Sequence, residues 1–428
     1  MLNRKIAPRI TEAAAFDLKL PECEKYSLKN GVEVYSIDLG ALDTLMVNII
    51  FSAGNCYEEK NLVAGATSHL LKNGTSRRNS FAINEHFEYY GSSLSRSCQN
   101  ENAEMALHCL GKYAKELLPV MAELLMDSVF PQEELEIFRK NSQQRLSVSL
   151  KKSDFVAGRL IDSYLFGKNH PYGRYSSMED YASLSREHLQ AFYEKYYKHG
   201  NCFIIVAGKL LPDMKEQLES CFGNLPWKGW KEKDREPEHA ILPAGEKKYR
   251  VINDQKGVQG SIRIARNFPG RKHSDFQEAG VLNNIFGGYF GSRLMANIRE
   301  DKGYTYGIYS YLLNHVQESA WMISTEAGRD VCEAAIDEVF KEMNLLCEKI
   351  IEEEELQTAR NFMVGLILGD LDGPFQVASR WKNIILNGLD ENYFDRGIRI
   401  IKTIGGEELK ELARKYLRPE EFYQLVVV

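Results

Sequence analysis

Two separate stretches of this chain repeat at nearly the same spacing. Glu187-His-Leu189-Gln-Ala-Phe-Tyr-Glu-Lys195-Tyr196 recurs as Glu407-Glu-Leu409-Lys-Glu-Leu-Ala-Arg-Lys415-Tyr416, an offset of 220 residues. Glu133-Glu-Leu135-Glu-Ile-Phe-Arg139 recurs as Glu354-Glu-Leu356-Gln-Thr-Ala-Arg360, an offset of 221. Both copies of the first stretch lead into apolar, β-branched runs, Phe203-Ile-Ile-Val-Ala207 and Tyr423-Gln-Leu-Val-Val-Val428. Two matches at one offset indicate an internal duplication. A chain of 428 residues is then two like units, each long enough to bury a core of its own. Residues 225–248, beginning Leu225-Pro-Trp-Lys-Gly-Trp, carry Pro, Gly and dense charge and are expected to link a unit over 1–224 to one over 249–428.

Each unit mixes strands with long helices. Val32–Ile37 and Leu45–Phe51 read as strands. Cys332, Ala335, Ile336, Val339, Phe340 and Met343 follow the spacing of one helical face, as do Leu117, Val120, Met121, Leu124 and Leu125. Strands grouped as hairpins and helices grouped in runs give an α+β class rather than a doubly wound sheet.

Composition excludes several classes of function. The 44% hydrophobic and 27% charged fractions are those of an ordinary water-soluble chain. A net charge of −6 offers no basic surface for nucleic acid. No run approaches the ~18 apolar residues of a membrane span. The segment Met1–Arg9 is basic but no apolar core follows it, so a cytoplasmic location is expected. The eight cysteines form no Cys-x-x-Cys and several sit in apolar contexts such as Asn201-Cys202-Phe203-Ile204, the pattern of buried reduced thiols. His86, His108 and His199 lack partners at zinc-ligand spacing and read as structural or surface residues.

The chemistry-bearing stretch is Asn61-Leu-Val-Ala-Gly65-Ala-Thr-Ser68-His69-Leu-Leu-Lys-Asn-Gly74-Thr75. It resembles the motif region of the pitrilysin/insulinase family of zinc peptidases, which includes the mitochondrial processing peptidases. There a helix carries His-x-x-Glu-His a few residues before a Gly-Thr pair. Two His at i and i+4 share a helical face and bind one zinc, and the Glu serves as base for the bound water. Counting back from Gly74-Thr75, His69 falls on the second His, Ser68 on the Glu and Gly65 on the first His. The third family ligand, a Glu on the helix after a Phe-Pro-x-Glu-Glu stretch, corresponds to Arg145, 76 residues beyond His69 and downstream of Phe130-Pro131-Gln132-Glu133-Glu134. Glycine cannot ligate, a hydroxyl is a poor base near neutrality, and a guanidinium opposes a cation. The resemblance therefore implies a zinc-peptidase relative with no zinc of its own. No shift of register creates two His and a Glu. His69, beside Leu70 and Leu71, reads as a satisfied core or chamber histidine.

A second stretch in the C-terminal unit strengthens the resemblance. Phe286-Gly287-Gly288-Tyr-Phe-Gly291-Ser292-Arg293-Leu294 leads to Ile298-Arg299-Glu-Asp-Lys-Gly303-Tyr-Thr-Tyr306. It is similar to the family's second-domain signature, a Gly-Gly turn, Ser-Arg-Leu, then an Arg and a Tyr seven residues apart. In active members those two side chains, here Arg299 and Tyr306, reach the peptide at the zinc. A guanidinium can hold a peptide carbonyl and a phenol can stabilise an oxyanion. The plainer alternative is that Arg299 pairs with Glu300 and Tyr306 packs in the sheet. Asn169-His170-Pro171-Tyr-Gly173-Arg174 also resembles a family loop, with turn geometry as its role and His170 structural.

The resemblance spans Lys25 to the C-terminus and implies two tandem, homologous α+β rolls facing one another like a clamshell. Some family members work as pairs of a zinc-bearing subunit and a zinc-less sister that supplies the Arg and Tyr. The expected function is that of the sister: a non-catalytic subunit binding peptide substrate along a sheet edge, with zinc held by a partner that keeps His-x-x-Glu-His. Two other readings stand beside it. One is an active metalloendopeptidase using unconventional ligands around His69; the other is an inert homodimeric peptide-binding or assembly protein.

Overall fold

The computed structural model of the protein describes residues 15–230 and 239–428. The basic segment Met1–Arg9 and residues 231–238 of the expected linker lie outside the described residues.

The chain builds two mixed, mainly antiparallel sheets. The first comprises β1 (Glu24–Ser27), β2 (Glu33–Asp38), β3 (Thr44–Phe51), β4 (Ser93–Cys98), β5 (Ala103–Leu110), β6 (Asn201–Gly208) and β7 (Lys228–Gly229), in the order β1-β2-β6-β3-β5-β4 with β7 beside β6. The second comprises β8 (Lys248–Val251), β9 (Gln259–Phe268), β10 (Thr305–Asn314), β11 (Ser319–Gly328) and β12 (Tyr423–Val427), in the order β10-β11-β9-β12-β8. The path β2-β6-β3-β5-β4 matches β8-β12-β9-β11-β10 strand for strand. In each, one parallel pair (β2 with β6, β8 with β12) sits in an otherwise antiparallel path. The duplication read from two short stretches is thus a duplication of topology.

Each sheet buries one face under helices of its own half. Leu45, Val47, Ile49 and Phe51 of β3 turn to the helices Ala114–Asp127 and Arg186–Tyr193. Ile262, Ile264, Trp321 and Ile323 do the same beneath Cys332–Glu348. The other face is covered by the opposite half. The helix Ser153–Phe166 sets Ala157, Ile161, Leu165 and Phe166 on Ala265, Ala320, Met322 and Leu425 of the second sheet. Its counterpart in the repeat, Pro374–Leu386, sets Val377, Ala378 and Ile385 on Ile37, Met46, Ile50, Phe203 and Ile205 of the first. The central strands are therefore apolar on both faces, which explains the unbroken run Phe203-Ile-Ile-Val-Ala207. Each crossing helix also carries an ion pair. Lys382 meets Glu104 at 2.9 Å, and Asp154 meets Arg263. The two halves face one another and are stitched by this exchange.

The described residues at both ends of the expected linker are packed. Trp227 is 3% exposed in the first core, and Lys228–Gly229 pairs with β6, so these residues finish the first unit. At the other end of the expected linker, Leu242 and Ala244 donate their N–H groups to the carbonyls of Phe166 and Tyr164. The N-terminal segment crosses over: Leu18 is buried in the second half's core, and Trp381 donates its indole N–H to the Pro21 carbonyl at 2.9 Å. Among the described residues no helix is long and apolar enough to cross a membrane. All eight cysteines are free thiols.

The seam between the halves contains a histidine cluster. His315, on the β10–β11 turn, stacks on Tyr172 at 4.1 Å and meets Asn100 at 3.3 Å. His170 is 2% exposed, and its Nδ1 accepts the Tyr172 N–H at 3.1 Å. Burial, reinforced by His239, His315 and Arg174, pushes His170 down to about 4, and burial alone does the same to His315. A histidine whose folded pKa is depressed contributes stability that is full above its unfolded value and is lost as pH falls through the folded value. Stability is therefore expected to fall as pH drops from 6.5 towards about 4, by on the order of 3 kcal/mol for His170. Glu101, pushed upward by the same burial, offsets part of the loss. Urea midpoints across that range measure it. His170→Asn should flatten the profile, and a flat profile in the unmodified protein would refute the assignment.

Candidate functional site

The motif segment forms the helix Val63–Leu70. Its N-cap, Leu62, is left-handed at φ 76, a conformation uncommon for a bulky residue, and is held there from one side chain. Glu58 accepts the N–H groups of Leu62 at 3.2 Å and Ala64 at 2.8 Å, and pairs with Arg174 at 2.7 Å. This gives the Asn169–Arg174 loop a purpose beyond its turn: it fixes the carboxylate that caps the motif helix. The helix ends before the Gly74-Thr75 turn, where a Cβ on Gly74 would meet Pro131 Cγ at 2.8 Å. That close approach packs the two motif stretches, Gly74-Thr75 and Phe130-Pro131, against each other. Thr75 locks them further by donating its hydroxyl to Glu123 at 2.6 Å.

Gly65, Ser68 and His69 share one side of this helix, as the i, i+3, i+4 spacing requires. A Cβ on Gly65 would find nothing within 4 Å, so space for a larger side chain exists and is left open. Ser68 is 2% exposed, and its hydroxyl donates to the Ser97 carbonyl of β4 at 3.2 Å. His69 is exposed, which removes the core half of the core-or-chamber reading; Leu70 and Leu71 carry the burial. Its ring lies 4.9 Å from that of Phe138, on the helix Gln132–Ser149 that also carries Arg145. Arg96 of β4 donates its Nε–H to the His69 carbonyl at 2.5 Å. The packing beneath the ring, then the charges of Arg96, Arg145 and Lys72, hold His69 down to about 4; Glu134 opposes weakly.

Arg145 acts electrostatically on His69, and so does Arg96, which sequence reasoning missed. Arg96 lies on a polar edge strand, Ser93-Leu-Ser-Arg-Ser-Cys98, with no sequence signal tying it to the motif. These residues do not fit zinc. One imidazole stands among three cations, Ser68 at the position the resemblance gives to the base is a hydroxyl already bonded, and Gly65 has no side chain. Among the described residues no three His, Cys, Asp or Glu side chains are grouped to hold a metal. The charge field predicts an outcome for repair. Gly65→His alone is expected to leave the protein without stoichiometric zinc, because Arg145 still faces the pair. Gly65→His with Arg145→Glu is expected to bind zinc in the micromolar range, read by metal analysis after dialysis. Equal zinc in both variants would show that Arg145 does not govern the site.

The second signature divides into anchors and free groups. Gly287 approaches β10 closely, since a Cβ there would lie 2.7 Å from Ser310 Cβ. Arg293 makes a two-pronged pair with Glu355, at 2.7 and 2.8 Å, and Leu294 is fully buried. The Ser-Arg-Leu element therefore pins the segment to the helix Glu353–Leu371. Arg299 rests its guanidinium 4.5 Å above the Phe290 ring and meets Glu300 at only 3.7 Å. Tyr306 sits where the β10–β11 register shifts, between Thr305 and Ile308, and is 94% exposed. A bulge turns a side chain out of the sheet, so Tyr306 does not pack there. Phe290 and Tyr309 beside it are 61% and 54% exposed. No hydrogen bond, ion pair or ring contact among the described residues joins Arg299 or Tyr306 to the His69 cluster.

Fold and site together define a duplicated α+β chain whose motif region offers one imidazole, His69, beside Gly65, a bonded Ser68 hydroxyl and the charges of Arg96 and Arg145. The matching family models agree. Residues 38–171 match "Insulinase (Peptidase family M16)", and residues 183–363 match "Peptidase M16 inactive domain". The chain belongs to the insulinase/pitrilysin peptidase family. It is similar to the "Uncharacterized zinc protease YmxG" of Bacillus subtilis, 24% identical over 411 residues that cover 95% of this chain and 98% of that one. Its fold is that of the peptidase M16 inactive domain from Pseudomonas fluorescens, with a TM-score of 0.83 at 21% identity over 95% of this chain and 98% of that chain. It also superposes on the periplasmic protease PqqL of Escherichia coli, with a TM-score of 0.77 at 13% identity, covering all of this chain (100%) but 49% of that longer one.

Proposed function

We propose that this chain is the non-catalytic subunit of a two-chain metallopeptidase. Its sister carries His-x-x-Glu-His and zinc, and this subunit lends Arg299 and Tyr306 to the sister's site. The observation that carries the reading is the contrast between the two signatures. The zinc-motif face is occupied by Arg96 and Arg145, while Tyr306 stands 94% exposed on a bulge with Arg299 on an aromatic shelf beside the same strand. A phenol and a guanidinium presented outward, with no internal carboxylate closer than Glu300 at 3.7 Å, are placed for groups of another molecule. The half coverage of PqqL supports a partner of similar size, since that chain has length for two such units. Extended peptide substrate would add along an exposed strand such as β4 or the open part of β10. The eight free thiols fit a reducing, cytoplasmic setting.

Mixing tests the reading. The purified chain is expected to hydrolyse no peptide alone. Combined with a family member from the same organism that retains His-x-x-Glu-His, it should form a one-to-one complex whose peptidase activity exceeds that of either component. Full activity of the sister without this chain would sink the proposal.

A further inference from the structure

A cavity of about 160 Å³ opens in the second half between the helices Asp275–Asn283, Pro374–Leu386 and Tyr393–Thr403. It shares no residue with either signature. Two guanidiniums line it, Arg271 from the turn before the first of these helices and Arg380 from the second. Arg380 donates one N–H to Asp370 at 2.6 Å and lies 5.4 Å from the Phe394 ring centre. Arg271 lies half-buried 5.7 Å from the Phe276 ring centre and makes no hydrogen bond or ion pair with any described residue. The Nε–H of each arginine is buried without an acceptor.

Burial lowers the proton affinity of Arg271; Tyr393 works against this and the like charge of Arg380 adds to it. Arg380 keeps Asp370 as its partner, but Arg271 brings a second cation into the same partly dehydrated space with its donors unanswered, which is costly unless another anion joins it. No Asp or Glu lines the cavity. Its remaining polar side chains are neutral: the Tyr393 phenol, Asn383, and Gln277, which is bonded to the Tyr393 carbonyl at 2.8 Å. The opposite wall is apolar, formed by Ile367, Ile384, Ile398 and Ile401. A bare phosphate would satisfy the arginines and leave that wall wet. A carboxylate on a short branched body satisfies both, because guanidinium binds carboxylate through paired N–H donors.

We propose that the Arg271–Arg380 cavity binds the carboxylate of a small organic anion with an apolar body. That chemistry occurs in a free short-chain acid and in the C-terminus of a peptide ending in an aliphatic residue. Calorimetric titration of the full chain separates them. 4-Methylpentanoate stands for the free acid, N-acetyl-leucine for the peptide terminus, N-acetyl-leucinamide for the uncharged shape, and inorganic phosphate for the bare anion. At least one carboxylate is expected to bind saturably at one site, with the tighter of the two naming the source. The amide should bind about tenfold more weakly or worse, as should the tighter carboxylate to Arg271→Gln or Arg380→Gln. Arg271 has no internal hydrogen-bond or ion-pair partner among the described residues, so Arg271→Gln should melt no lower than the unmodified chain without ligand. Arg271→Lys, which keeps the charge and loses the fork, should fall between. The proposal is overturned if neither carboxylate saturates, if the amide binds equally, or if phosphate binds more tightly than both.

Discussion

Replacing Tyr306 with Phe is expected, on the proposed function, to slow a peptidase reconstituted with the zinc-bearing sister by about 100-fold while leaving assembly intact. The variant loses one hydroxyl and nothing else, and that hydroxyl touches nothing within its own chain: Tyr306 is 94% exposed at the β10 bulge. Folding of this subunit should therefore be unchanged within about 0.5 kcal/mol. If the phenol donates to the oxyanion formed at the sister's zinc, the loss appears in kcat, since that interaction exists only in the transition state. Arg299→Ala should instead raise KM as well, because a guanidinium on a peptide carbonyl binds substrate and transition state alike. Complex formation, measured by sedimentation, separates catalytic loss from failed docking. Unchanged turnover for Tyr306→Phe would remove the donation and leave the chain as a scaffold.

The second large effect concerns the exchange of helices. Phe166 is fully buried in the seam, with ring contacts to His170, Tyr172 and His315 at 5.9, 5.4 and 5.7 Å. Phe166→Ala is expected to cost about 3–5 kcal/mol, the transfer loss plus the cavity left behind. The urea midpoint measures it. Because helix Ser153–Phe166 belongs to one half and its sheet to the other, the loss should be shared. Tryptophan signals from Trp227 in the first core and Trp321 in the second should shift their transitions together. A transition in which Trp227 kept its midpoint while Trp321 lost it would show that the halves unfold independently.

Much of this was legible in the sequence, and the reasons for the rest are physical. Helix periodicity located Cys332–Glu348 and Ala114–Asp127 because each buries a single stripe. The strand Phe203–Ala207 could be read as doubly covered, but nothing in it says which helix supplies the second cover. Helix Ser153–Phe166 shows an apolar stripe without an address, so the exchange between halves stayed hidden. Trp227 looked like part of a linker because its neighbours are Pro, Lys and Gly; its burial depends on Phe51 and Phe222, which are remote in the chain or fixed only by the fold. The loss of the zinc ligands was readable from Gly65, Ser68 and Arg145, since ligand chemistry is local to residue type. The electrostatic cause that shapes His69 was not, because Arg96 arrives from an edge strand 27 residues on. Burial of Leu70 and Leu71 likewise left the core and chamber readings of His69 undivided.

The reciprocal helices also set an order of events during synthesis. Strand β7 completes the first sheet at Gly229, yet Pro374–Leu386, the helix that covers its second face, ends at residue 386. Between those points a nascent chain on the ribosome carries Ile37, Met46, Ile50, Phe203 and Ile205 as a bare apolar surface. The first half cannot finish folding as it emerges; it waits for most of the second. A chain truncated anywhere in that interval would present this surface permanently, a ready substrate for chaperones and for aggregation.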